Sequence, residues 1–153
     1  MTSRSSPMPE SSSLTRPQRR VLDDALRLVR DQRRRAEADD DAHLAPSDAW
    51  ATPFGLGYVL GAVDGLCQVH GAPFDGTALA IFGLVLDDTF GRPASDALRQ
   101  RGVRLLQAGD ADLERGRSWG GNEAIGLARA RMEPVGLVHL ARGDEDRMGP
   151  PDV

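Results

Sequence analysis

The sequence predicts an all-α, single-domain bundle of about five helices with disordered N- and C-terminal tails. Three observations carry that prediction. Apolar residues recur at the three- and four-residue spacing of an amphipathic helix along much of the chain. Pro, Gly and Asp punctuate those segments where helices start and stop. The chain has 153 residues, 40% hydrophobic and 27% charged, the length and balance of one folded domain with its own core.

Residues 1–16 are rich in Ser and Pro and hold too few apolar side chains to offset the entropy of ordering, which predicts a tail. The helical domain is expected over 17–142. From Pro17, a favoured first helical residue, Leu22, Ala25, Leu26 and Val29 share one helical face. The continuation RDQRRRAEADDDA has almost no such face. Arg33 to Glu37 and Arg35 to Asp39 lie one turn apart and can pair, and the segment is expected to project into solvent and fray.

Two strongly apolar segments follow, over 54–70 and 76–90. The second is apolar all round and reads as the central helix, from about Thr77 to Phe90, with Asp75 or Thr77 as its cap and Gly91 and Pro93 at its end. A further helix from Ala94 to Ala108 would turn Leu98, Leu105 and Leu106 inward, with Gly109 closing it. The next begins near Asp110 and reaches about Met132 before Pro134 stops it. The pair Gly120 and Gly121 leaves open a break in which SWGGNEA is a loop and Asn122 caps a new helix. VGLVHLA is assigned as a short terminal helix, because a lone strand would have no partner. The polar stretch 143–153 predicts the second tail.

Gly57, Gly61 and Gly65 recur every fourth residue and form one stripe, with Asp64 and Gln68 on the same side. Leu56, Val59, Val63, Leu66 and Cys67 fall mostly opposite. Each helical glycine costs about 0.5–1 kcal/mol relative to alanine, so three imply a compensating close contact. Gly116, Gly120, Ala124 and Ala128 repeat the spacing further on. The two stripes are expected to face each other, inside the bundle or across a homodimer interface.

The formal net charge is −4, which argues against nucleic acid as a general partner. All the basic residues are arginine, which excludes a lysine nucleophile and suits a GC-rich, bacterial genome. Arg33, Arg34 and Arg35 could meet RNA or an acidic partner, but Asp39, Asp40 and Asp41 follow at once and offset their field. One cysteine, no apolar leader and no apolar run of about 18 residues lead to the expectation of a cytoplasmic protein outside any membrane.

Asp64, Cys67 and His70 stand one turn apart, a spacing that invites a metal, with His139 to complete the set; their positions around the helix disfavour one shared ion. Cys67 as a nucleophile would need His139 or His43 as its base. Asp87 and Asp88 point about 100° apart and do not form a dyad; Arg92 is placed to offset them. Trp119 could anchor a partner or cover the core. No catalytic, cofactor or metal assignment follows. The expected function is a non-enzymatic protein-interaction module, such as a small bacterial adaptor, chaperone or regulatory partner, with a protein partner that could be a second copy. The alternative is a small-molecule-binding protein or enzyme with a polar pocket around Asp64, Gln68, Trp119 and Asn122.

Overall fold

In the computed structural model, which describes residues 13–42, 44–130 and 132–144, seven helices follow one another. They are α1 (Arg16–Glu37), α2 (Pro46–Ala49), α3 (Pro53–His70), α4 (Gly76–Phe90), α5 (Ala94–Ala108), α6 (Ala111–Ala130) and α7 (Gly136–Arg142). No strand occurs among the described residues. The class is all-α, with more helices than the five expected; α2 is a single turn that the loop composition around Pro46 conceals. The predicted tails fall largely on 1–12 and 145–153, outside the described residues.

Thr15 opens α1 with a capping box. Its hydroxyl accepts from Gln18 N at 3.3 Å, while the Gln18 amide oxygen accepts from Thr15 N at 2.9 Å. The arginine-rich end of α1, expected to fray, is docked instead. Gln32 and Ala36 are buried. Arg30 grips Asp88 of α4 through two bonds of 2.9 and 2.6 Å, and Arg33 donates to the Thr89 carbonyl at 2.7 Å. Arg35 reaches the Pro134 carbonyl at 2.8 Å and Glu133 at 2.5 Å. Guanidinium groups complement the unsatisfied carbonyls at the end of α4, and carbonyl partners have no signature in sequence. Arg33 does pair with Glu37, at 3.0 Å. Asp39 takes Arg142 at 2.5 Å rather than Arg35.

The central place belongs to α3, not to α4. Of the 18 residues of α3, 13 are buried, against 8 of 15 in α4. The core joins Val21, Leu22, Leu28 and Val29 of α1 to Leu56, Val59, Leu60 and Val63 of α3 and Ile81, Phe82, Val85 and Leu86 of α4. Asp75 caps α4 by accepting from Thr77 N and Ala78 N. At the far end, Asp87 accepts from Arg92 at 2.9 Å and from the Ser95 hydroxyl, tying α4 to the start of α5.

In α5 only Ser95 and Gly102 are fully buried. Leu98 and Leu106 pack against the core while partly exposed, and Leu105 is not among the residues packed there, contrary to its expected inward position. The next helix, α6, is capped by Asp110, which accepts from Leu113 N at 3.0 Å, and runs unbroken through Gly120, Gly121 and Asn122. A short α7 closes the bundle, resting mainly on α1.

Candidate functional site

The contact between α3 and α6 is the most extensive in the fold, and it is made of main chain. A Cβ added at Gly57 would land on the Leu113 carbonyl oxygen, and one at Gly61 on that of Arg117. From the other side, Gly116 meets the Phe54 carbonyl and Gly120 that of Tyr58. At Gly65 the added atom would lie 2.8 Å from the Gly121 oxygen. Because the register advances together on both helices, α3 and α6 run parallel. A side chain at any of these positions would force the axes apart. Ala124 is buried on the same face, whereas Ala128 is exposed and takes no part.

Where the seam reaches the surface it forms a shallow groove of about 240 Å³. Asp64, Gln68 and Asn122 line it together, beside Ser118 and Arg117. Trp119 does not; it is partly buried against the core. Asp64 is half-buried and Gln68 exposed. Two wider depressions flank α1, one of about 600 Å³ and one of about 410 Å³. Charges lining the larger pair with each other: Arg30 with Asp88, Arg33 with Glu37, Arg34 with Asp31.

Asp64, Cys67 and His70 do not converge. His70 Nε2 lies 2.7 Å from Asp24 of α1, and His139 Nδ1 lies 2.8 Å from Asp144. Cys67 is 2% exposed, and burial, with the nearby Asp64 and Asp75 carboxylates, pushes its thiol up to about 11. At neutral pH it stays protonated and behaves as a small apolar side chain. Among the described residues no group of three or more His, Cys, Asp or Glu is placed to hold a metal ion. His43 lies outside the described residues.

The densest polar constellation is one that the spacing did not single out. Glu123 of α6 accepts from Tyr58 Oη at 2.5 Å, Val135 N at 2.9 Å and Gly136 N at 2.7 Å. Gln32 of α1 donates to Tyr58 Oη at 3.0 Å and accepts from Leu137 N at 2.8 Å. Trp50 Nε1 donates to the Leu137 carbonyl at 2.9 Å. Tyr58 is fully buried, and burial together with the adjacent Glu123 raises its phenol well above the ordinary value, so it stays a donor. A signal for Glu123 was present: it stands three residues after Gly120 and therefore leans to the inner face of α6. Gln32, four residues after Leu28, has the same kind of warrant on α1.

Each buried member of this constellation is satisfied by another part of the same chain, so the arrangement holds main chain rather than presenting an acid, base or nucleophile to a cavity. Comparison with protein-family models, curated proteins and solved structures finds no match. No helix among the described residues is long and apolar enough to cross a membrane.

Proposed function

We propose that the chain is a non-enzymatic protein-interaction module that docks a protein partner through α5. The observation that carries this reading is the incomplete burial of that helix. Fifteen residues long, α5 sinks only Ser95 and Gly102 fully, and leaves Leu98, Val103, Leu105 and Leu106 partly buried. Gly102 lets it lie close on the Phe82 ring, which a Cβ there would approach to 3.1 Å. An amphipathic helix seated by small residues and showing aliphatic side chains at its rim suits helix-face recognition, where anchors three, four and seven residues apart meet an apolar partner.

The chemistry of the interior supports the same reading. The one thiol is protonated and buried, and Glu123, Tyr58 and Gln32 spend their bonds on the chain itself. A second reading, a small-molecule site, rests on the groove that gathers Asp64, Gln68 and Asn122.

A photoreactive residue placed at Leu105, and in a separate chain at Gln68, tests the two in producing cells. The α5 reading expects one discrete protein adduct from position 105 and none from 68, with thermal stability unchanged. An adduct from 68 alone, or from neither, contradicts it.

A further inference from the structure

Residues 134–141 are held as a bound peptide is held. Their main-chain groups are read by side chains of other elements: Arg35 donates to the Pro134 carbonyl at 2.8 Å, Glu123 accepts from Val135 N and Gly136 N, Gln32 accepts from Leu137 N, and Trp50 donates to the Leu137 carbonyl. The fit excludes a side chain at one position. A Cβ on Gly136 would collide with the Tyr58 ring and stand 2.7 Å from Glu123 Oε1. Beyond it, Leu137 and Ala141 are 0% exposed and Leu140 4%.

The side chains that read these groups lie on α1, α3, α6 and the turn after α2, the Leu44 amide adds a bond of 3.2 Å to the Ala141 carbonyl, and α7 itself supplies none of them. Well-packed apolar side chains would often serve stability as well as buried polar ones. A polar set that reads consecutive N–H and C=O groups fixes in addition the direction and register of what docks. Before Pro134 the segment is tethered through exposed residues: Met132 is 62% exposed and the Glu133 side chain 72%.

We propose that this socket is a docking site for a second copy of the chain, with residues 134–142 of each molecule entering the socket of the other. This is independent of the α5 reading. A second copy carries the one segment that the structure shows to fit, and exchange reproduces every contact of α7 in a closed two-fold arrangement. The tethered segment competes at an effective concentration of order 1 mM, so exchange requires refolding at a comparable chain concentration. Once formed, the exchanged pair separates slowly on dilution, because leaving the socket strips Gln32 Oε1, the Glu123 carboxylate and Trp50 Nε1 of their main-chain partners.

The test refolds the full-length chain from urea at about 1 mM, dilutes it and measures its mass by light scattering. A dimer is expected, and refolding with excess free peptide of residues 133–143 lowers its yield at least severalfold, whereas the same peptide carrying Gly136→Val leaves it unchanged. Mixing differently labelled Leu137→Asp and Gln32→Leu chains gives a doubly labelled dimer that neither variant forms alone, since only the mixture has one sound segment and one sound socket. A wild type monomeric at every concentration, or a dimer indifferent to the peptide, overturns the proposal; the peptide experiment uses unaltered protein, so it stays decisive even where either variant misfolds.

Discussion

The seam between α3 and α6 and the socket around Glu123 join segments far apart in the chain by opposite means. The seam removes side chains until carbonyl oxygens of one helix rest on glycines of the other. The socket adds side chains, each spent on a main-chain group of the segment it holds. One join consists of shape and dispersion, the other of directed hydrogen bonds in a buried setting. They should therefore fail differently: the seam when an atom is added, the socket when one is taken away.

The largest effect is expected at the seam. Gly61→Leu places a branched side chain on the Arg117 carbonyl and should lower stability by about 3 kcal/mol or more, read from the urea midpoint. A variant within about 1 kcal/mol of wild type would mean that the helices separate at little cost, and the contrast would break.

Removal should come next. Glu123→Ala strands Tyr58 Oη, Val135 N and Gly136 N and should cost about 2–3 kcal/mol. Glu123→Gln, which keeps an acceptor, should lose less. Amide exchange should accelerate at Val135, Gly136 and Leu137 while α3 stays protected; uniform acceleration would make the socket part of one global unit.

A third join, at the end of α4, sharpens the comparison by its pH dependence. Burial pushes the Asp87 carboxyl up, but hydrogen bonds from Arg92 and Ser95 outweigh it and hold the group below its ordinary value. A depressed carboxyl contributes stability that is present above the unfolded value near 4 and lost as pH falls through the folded one. Asp87→Asn should therefore cost about 0.5–1 kcal/mol at pH 7, and its unfolding curve should merge with that of wild type on acidification. A gap that persists at pH 2 would assign the loss to packing.

The smallest effect is expected at Arg34, exposed and, among the described residues, paired with Asp31 one turn away. Arg34→Ala should change stability by less than about 0.5 kcal/mol in thermal unfolding. A larger loss would extend the docked part of α1 to its outer face.

The two joins also differ in what they leave in the sequence. Main chain packed on main chain requires a small residue at every turn, so it leaves a period: Gly57, Gly61 and Gly65 on one helix, Gly116 and Gly120 on the other. The helical class shows through for the same reason, since apolar spacing and caps such as Thr15 and Asp75 are local. The socket is not local. Tyr58 lies 65 residues from Glu123, and Gln32 lies 105 from Leu137, so each appears in the sequence as an isolated polar residue. The end of α1 misleads for a related reason, because the density of arginine suggests a solvated face while their partners include carbonyls that any residue could supply. Uniform apolarity favours α4 as the centre, yet the seam draws α3 inward. Of the groove residues, Asp64 and Gln68 follow from the period of the stripes; Asn122, read as the cap of a break, lines the groove from within an unbroken α6, and Trp119 departs because it turns to the core.

The central claim, that α3 and α6 touch through main chain inside one molecule, is tested most directly by a comparison of signs. Alanine in place of a contact-free helical glycine raises stability by about 0.5–1 kcal/mol. Gly126 comes near this condition, since the nearest described atoms to an added Cβ belong to the exposed Met132 side chain, at the ordinary van der Waals distance of 3.4 Å or more. Urea unfolding of Gly61→Ala beside Gly126→Ala should show the first less stable than wild type and the second more stable. If both rise together, the Arg117 carbonyl is not against Gly61, and α3 and α6 do not meet through main chain.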